Sequence, residues 1–263
     1  MIESSSSNSP FEVRPCAKPE EFADALQVTK LAFADYKLFL WQTKRIPEEA
    51  LNFVSFVCTV VSAMCAPPRG IVFACIDKSS TNAPNHANDS NNNNSNDDKI
   101  VGAASMNFQP ALSENRLIAA VQKTVRFVQQ AFTIGSLIRM APFNFVKHDV
   151  KNRESVKRFE CMLELDAVRN RHVGFRDHMY LIQLACHPEF QGRGVGSALL
   201  NALCKLADDR QQPLWLETDE THLSKYYAKF GFKVVEEYEV GRSLGDVFVP
   251  NYGMLREPAE KRA

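Results

Sequence analysis

Residues 179–208, MYLIQLACHPEFQGRGVGSALLNALCKLAD, decide the fold of this chain. The segment opens with an apolar run from Met179 to Cys186, and Pro188 follows it closely. Such a run is typical of a central strand, and proline marks its end because proline cannot donate to a β ladder. A glycine-rich turn (QGRGVG, 191–196) comes next, and apolar residues then recur at helical spacing. The segment therefore predicts a buried strand, a glycine turn and an amphipathic helix.

The glycine turn has the chemistry of an anion site. Glycines let backbone amides approach a phosphate, and the free amides of a first helical turn supply positive potential. Two common phosphate motifs do not fit. The P-loop needs a Lys-Ser/Thr pair after its second glycine, and Gly192, Gly194 and Gly196 are too evenly spaced for a dinucleotide fingerprint. On the glycines alone, a purely structural turn is the alternative.

A second motif stands further along the chain. Residues 213–218 (PLWLET) predict a short strand, and residues 226–232 (YYAKFGF) predict the end of a helix, because glycine commonly terminates helices. The turn and this ending, in this order, resemble the acyl-CoA pyrophosphate loop and the helix-ending signature of the GNAT superfamily of N-acetyltransferases. Within that superfamily the chain looks most like the puromycin N-acetyltransferase type, a likeness that includes residues 32–36 (AFADY).

The resemblance implies an α/β fold: a mixed central sheet flanked by helices, with a splayed pair of central strands. We expect one such domain over residues 11–257, after a disordered N-terminus at 1–10. A disordered, asparagine-rich insertion at 78–98 should interrupt it, because this tract has almost no apolar side chains to offset its ordering entropy. Self-association through the tract is the alternative.

The resemblance also implies how acetyl-CoA, the co-substrate, is held. Its pyrophosphate would bind the glycine turn, and its pantetheine arm would lie along the end of the central strand, where a backbone amide would polarise the acetyl carbonyl. The predicted cofactor-binding residues are Leu184, Cys186, Gln191, Gly192, Arg193, Gly194, Val195, Gly196 and Ser197. For Arg193, a solvated side chain is the alternative.

Acetyl transfer needs a group that removes a proton from the amine and a group that protonates the departing thiolate. In model peptides the pKa of a thiol is about 8.5 and that of tyrosine is about 10. A neutral tyrosine hydroxyl can therefore donate a proton to the departing sulfur. The resemblance places Tyr227 there, and a core aromatic is the alternative. Glu217 is the predicted base, because α/β sheets place ligands at the carboxyl ends of strands; a solvated loop acid is its alternative.

Other residues stand as weaker candidates. His172 and His187 are alternative bases, each with a structural role as its competing interpretation. Tyr226 should face elsewhere on the helix than Tyr227. The pair Asp35-Tyr36 would line the acceptor pocket, as the early helices do in this superfamily.

These residues predict an acetyl-CoA-dependent N-acetyltransferase, in which the primary amine of a small molecule attacks the thioester directly. Acetylation of protein or peptide amines is one alternative function. A non-catalytic acyl-CoA-binding regulator is another, although a chain that retains both Tyr227 and Glu217 favours turnover.

Composition excludes several other classes. The 263 residues contain 31 Lys and Arg and 31 Asp and Glu, a balance that argues against a nucleic-acid or basic membrane binder. The seven cysteines include no CxxC pair, so neither a disulfide framework nor a metal site is predicted. The first ten residues do not resemble a signal peptide, and the apolar run 53–66 is too short to span a bilayer, so it predicts a buried helix.

We expect a cytoplasmic protein, and the sequence predicts no oligomeric state.

Overall fold

A computed structural model describes residues 9–37, 58, 65, 69–79, 99–115, 117–125, 162–241 and 249–260. Over these ranges the chain forms a seven-stranded sheet ordered β1-β2-β3-β4-β5-β7-β6. The strands are β1 (Phe11–Pro15), β2 (Gly70–Asp77), β3 (Lys99–Gln109), β4 (His178–Cys186), β5 (Leu214–Thr218), β6 (Lys233–Val240) and β7 (Val249–Arg256). Strands β4 and β5 are parallel, and the other neighbours are antiparallel.

Helices cover both faces of the sheet. They are α1 (Pro19–Ala32), α2 (Met162–Val173), α3 (Val195–Arg210) and α4 (Thr221–Ala228), and residues 117–125 are also helical. Val28 of α1 packs with Ala74 of β2, whereas Leu199 of α3 packs with Phe73. Because successive strand residues point to opposite faces, α1 and α3 lie on opposite sides of the sheet. This mixed sheet between helices confirms the predicted fold class.

The two parallel strands separate soon after they begin. Strands β4 and β5 pair only at Met179 with Leu214 and at Tyr180 with Trp215. The register between β3 and β4 then shifts, so that Ile182 has no partner on β3. A bulge of this kind bends its strand and re-aims the side chains that follow. The middle of the sheet therefore opens between β4 and β5, which confirms the predicted splayed pair.

Helix α3 begins unusually close to the sheet. A Cβ atom added to Gly102 of β3 would lie 2.4 Å from Cγ1 of Val195 and 3.1 Å from Cδ1 of Leu199. Only glycine leaves room for this approach. The glycine turn before α3 therefore lies at the end of the sheet where strand β4 ends.

Several predicted segments fall on residues outside the described ranges: positions 1–8 of the N-terminus, 80–98 of the insertion, and 53–66 apart from Cys58 and Cys65, both of which are buried. Helix α2 ends at Val173, and Gly174 is the first residue outside the helix. In the described ranges, no helix has both the length and the apolar character needed to cross a membrane.

Candidate active site

The glycine turn places free backbone amides at the start of α3. Gly192 and Gly194 have φ angles of 75° and 96°, in the left-handed region that favours glycine. Gly194 is the N-cap residue, and no side chain caps the helix. The amides of the first turn, at Val195, Gly196 and Ser197, have no partner within the helix. A 16-residue helix with an uncapped start beside an exposed turn has the features of a phosphate site.

Two cationic side chains flank this turn. Lys99 Nζ and Arg193 Cζ each lie 4.9 Å from the ring centroid of Phe190, which is buried just before the turn. Arg193 was predicted as a phosphate contact from its place inside the motif. Lys99 was not predicted, because only the pairing of β3 with β4 brings the first residue of β3 to this place.

Tyr226 of α4 packs against the same helix start. Its hydroxyl lies 3.1 Å from Ser197 Oγ, and a Cβ atom added to Gly196 would stand 3.0 Å from the hydroxyl oxygen. Gly196 is therefore needed for a close approach as well as for the turn. Tyr226 was the weaker catalytic candidate by sequence, and its ring centroid lies 5.3 Å from that of Phe230.

The predicted residues of β4 lie beyond the bulge. Leu184 and Cys186 are half-buried and pack against the α3 side of the core, whereas Ala185 between them packs on the α1 side. The thiol of Cys186 donates to the carbonyl oxygen of His187 at 3.5 Å, and burial raises its pKa. Both side chains thus follow the point at which β4 leaves β5.

Glu217 lies on β5 where the two strands have parted. It is half-buried and accepts a hydrogen bond from Trp215 Nε1 at 2.5 Å. Burial raises the pKa of Glu217 to about 7, against the opposing influence of Arg169, Trp215 and Tyr180. A carboxyl group that titrates near neutral pH suits a general base.

Tyr227 of α4 is 8% exposed, and its ring packs against Phe232 at a centroid distance of 6.0 Å. In the described part of the chain, no group forms a hydrogen bond with its hydroxyl. Burial, followed by the influence of Tyr226 and Asp219, raises the pKa of Tyr227 well above its ordinary value. The hydroxyl is therefore neutral at physiological pH.

The two predicted catalytic residues lie on opposite faces of the sheet. Trp215, the neighbour of Glu217, packs against α2, whereas Tyr227 packs with the core under α3. Tyr36, just after α1, interacts electrostatically with both Glu217 and Tyr227. Burial raises the pKa of Tyr36, and Asp219, Tyr227 and Glu217 raise it further. Its sequence neighbour Asp35 is exposed.

Asp219, immediately after β5, is a site residue that sequence reasoning missed. It is 6% exposed, and within the described ranges neither carboxylate oxygen makes a hydrogen bond of regular geometry. Burial raises its pKa, and the neighbouring Tyr36 hydroxyl opposes that rise. An ion pair of 2.5 Å between Lys37 and Glu220 joins the segment after α1 to the start of α4.

The two histidines named as alternative bases have structural partners. His172 Nε2 lies 2.7 Å from Glu236, and its ring stacks on Trp215 at 5.8 Å. His187 Nδ1 accepts from the amide of Glu189 at 3.3 Å. Among the described residues, no group of three or more His, Cys, Asp or Glu side chains is placed to hold a metal ion.

Comparisons with known proteins agree with this fold. Residues 88–232 match the model of the acetyltransferase (GNAT) family. No curated protein matches the chain. Among solved structures, the chain is similar to the histone acetyltransferase HPA2 and related acetyltransferase of Corynebacterium glutamicum, with 19% identity, a TM-score of 0.55, and 95% of this chain and 98% of that chain covered.

Two mosquito structures are similar to a comparable degree. Arylalkylamine N-acetyltransferase 2 from Aedes aegypti has 14% identity and a TM-score of 0.52, with 95% of this chain and 100% of that chain covered. A mosquito arylalkylamine N-acetyltransferase like 5b has 12% identity and a TM-score of 0.52, with coverage of 94% and 99%. At these identities the likeness shows the fold alone.

Replacing Glu217 with Gln should stabilise the protein at high pH. The pKa of Glu217 is 4.5 ordinarily and about 7 in the fold, so the folded state retains a proton that the unfolded state has lost. This contribution to stability is complete below about pH 4.5 and is lost as the pH rises through about 7. At pH 8 we expect Glu217→Gln to be more stable than the wild type by about 1–2 kcal/mol, or about 2–4 °C in Tm for each kcal/mol. Thermal unfolding at pH 5 and pH 8 measures the difference.

The control for this measurement is Glu237→Gln, which neutralises an exposed carboxylate on β6. Its Tm difference from the wild type should be the same at both pH values. An equal response of the two variants to pH would contradict the raised pKa of Glu217.

Proposed function

The chain belongs to the acetyltransferase (GNAT) family, and from that premise we propose that it transfers the acetyl group of acetyl-CoA to the primary amine of a small molecule. It is an acyltransferase, and acetyl-CoA is the acetyl donor that the family uses. The observation that carries the proposal is the gap between β4 and β5. A half-buried carboxyl group with a pKa of about 7 lies on β5 just beyond the last paired step, and a neutral tyrosine hydroxyl on the opposite face of the sheet would reach the gap in the proposed complex.

The proposed donor site follows the surface from the glycine turn to the gap. The free amides at the start of α3, with Arg193 and Lys99 beside them, would hold the pyrophosphate. The backbone of β4 near Leu184 and Cys186 would bind the pantetheine arm, because this edge of the strand no longer pairs with β5. An edge with unpaired backbone groups suits a ligand that contains amides. The thioester would then lie in the gap.

In the proposed mechanism, each catalytic side chain moves one proton. The neutral amine of the acceptor attacks the thioester carbonyl, and Glu217 removes one proton from the attacking nitrogen. The carbon–nitrogen bond forms, the carbon–sulfur bond breaks, and Tyr227 donates its hydroxyl proton to the departing sulfur. Solvent then returns a proton to Tyr227 and removes one from Glu217. Proton transfers of this kind contribute about 10²–10⁴-fold each to a rate.

The acceptor assignment rests on the likeness of residues 32–36 and 216–218 to the puromycin N-acetyltransferase type. Tyr36, within the first of these stretches, lies where its pKa senses both Glu217 and Tyr227, as a lining residue of the acceptor pocket would. We include a cytoplasmic location in the proposal, since the six cysteines of the described ranges are free thiols.

A panel of amines, followed by release of free thiol from acetyl-CoA, tests the acceptor class. The panel should contain puromycin, arylalkylamines, and peptides with a free N-terminus or a lysine. We expect turnover with small primary amines to exceed turnover with peptides. Preference for a peptide would favour the protein acetyltransferase alternative, and binding of acetyl-CoA without turnover on any amine would favour the regulator.

Gly194→Asp should abolish binding of acetyl-CoA. The left-handed φ of Gly194 disfavours a side chain, and the added carboxylate would repel the pyrophosphate at the start of α3. In a thermal shift titration, acetyl-CoA at about 100 times its Kd should stabilise the wild type by about 2.7 kcal/mol and should not stabilise the variant. The matched control is Asn201→Asp, which adds the same charge to the exposed face of α3 and should retain the shift.

Tyr227→Phe should lower kcat with the best amine by about 10²-fold, because the phenyl ring keeps the packing and loses only the proton donor. The Kd for acetyl-CoA, measured by calorimetry, should not change. Tyr252→Phe is the control, since it removes a tyrosine hydroxyl that contacts Thr221 instead. Equal kcat values for wild type and Tyr227→Phe would remove Tyr227 from the mechanism.

A further inference from the structure

A buried cation lies beside the proposed base. Arg169 of α2 is only 5% exposed, and its guanidinium donates through Nη2 to Asp166 Oδ1 at 2.6 Å. Its other nitrogens, Nε and Nη1, make no hydrogen bond within the described ranges. The partner Asp166 is itself 47% exposed. Among the described residues, the ion-pair partner of this buried charge is Asp166.

Fold stability does not explain this arrangement. Burial of a charge with unsatisfied donors is costly, and apolar residues of similar volume often replace buried ionic groups without loss of stability. The aliphatic part of Arg169 could pack equally well in a methionine. Packing therefore does not explain why the side chain at position 169 is charged.

The position of Arg169 offers one. Its guanidinium carbon lies 4.2 Å from the ring centroid of Tyr180 on β4. Tyr180 is the partner of Trp215 in the last paired step before β4 and β5 separate, and the Trp215 indole donates to Glu217. Arg169, Tyr180, Trp215 and Glu217 therefore lie together at the point where the gap opens.

We propose that Arg169 is a positioning residue whose buried charge favours the ionised form of the Glu217 carboxylate, the form that accepts a proton. This inference rests on the proposed function, in which Glu217 is the base. Arg169 acts through its field and does not touch the substrate, so it is not a catalytic residue.

The charges around Glu217 support this role. Burial is the main influence that raises the pKa of Glu217, and Arg169 is the strongest opposing one, ahead of the hydrogen bonds from Trp215 and Tyr180. Among the described residues, the other ionisable groups that face it are Asp166 from α2, which raises the pKa, and the phenols of Tyr36 and Tyr238. His172 and its partner Glu236 stand behind the Trp215 ring. Arg169 is thus the cation that sets the balance.

The distance between the two groups matters as well. Arg169 and Glu217 form no direct ion pair, since the described contacts of Arg169 are with Asp166 and the Tyr180 ring. A direct pair would hold the pKa of the carboxyl below its ordinary value, and such a group accepts protons poorly at neutral pH. A charge that is nearby but not in direct contact offsets part of the effect of burial, so the pKa of Glu217 stays near neutral pH.

The test compares Arg169→Met, which removes the charge, with Arg169→Lys, which retains it. In Arg169→Met the acid limb of the profile of kcat/KM against pH should move up by about one pH unit, so that activity at pH 6 falls about tenfold. Activity at pH 9 should stay within about twofold of the wild type, because Glu217 is ionised there in both proteins. Arg169→Lys should restore most of the wild-type profile. The Tm of Arg169→Met at pH 6 should be equal to or above that of the wild type.

A second measurement does not depend on turnover. The ¹³C resonance of the Glu217 carboxyl, assigned by its absence in Glu217→Gln, reports the titration midpoint directly. This midpoint should rise in Arg169→Met and in a second neutral variant, Arg169→Gln, and it should stay near the wild-type value in Arg169→Lys. If Arg169→Met does not fold, the titration in Arg169→Gln decides.

The outcomes separate the two claims. An unchanged midpoint in the neutral variants, or a lower Tm with an unchanged pH profile, would overturn the role of Arg169. If the midpoint rises but Glu217→Gln retains full activity, Arg169 still controls the carboxyl, and it is the assignment of Glu217 as base that fails.

Discussion

The separation of β4 and β5 is the constraint on which the rest of the structure depends. Two paired steps hold these parallel strands together, and beyond Tyr180 and Trp215 they diverge. A continuous sheet would bury this region completely and leave no opening between its faces. Because the strands part, backbone groups of β4 lack a partner on β5, and a residue from each face can reach the same space. The chemistry proposed for Glu217 and Tyr227 depends on this opening, since the two side chains otherwise belong to different cores.

The sequence predicted the features that depend on local chemistry. Glycines at 192 and 194 indicated a turn because few other residues adopt positive φ, and the apolar spacing after Val195 indicated which face of the helix is buried. The splayed pair came from the resemblance to a family. The placement of Glu217 at the end of β5 followed from strand order, but its raised pKa did not, because that shift depends on how completely α2 covers the strand.

The residues that sequence reasoning missed depend on contacts between distant segments. Lys99 reaches Phe190 only through the register of β3 with β4. In the sequence, nothing separates Asp219 from an ordinary loop acid, because its burial depends on the segment after α1. Arg169 is the hardest case, because amphipathic patterning assigns arginine to the exposed face of a helix and the structure buries it. Buried charges break the rules on which pattern reasoning relies, and such breaks tend to occur at functional sites.

The asparagine-rich tract lies between β2 and β3, the two strands of a hairpin. The two strands remain paired as far as Asp77 and Lys99, so the ends of the intervening chain are fixed next to each other. Loop-closure entropy grows only with the logarithm of loop length, at about 0.6 kcal/mol for each doubling. The length of the tract can therefore change greatly between descendants of this sequence while Lys99 keeps its place beside Phe190. The hairpin thus separates two regions. The asparagine-rich tract can change in length, whereas the neighbouring surface around Lys99 and Phe190 cannot.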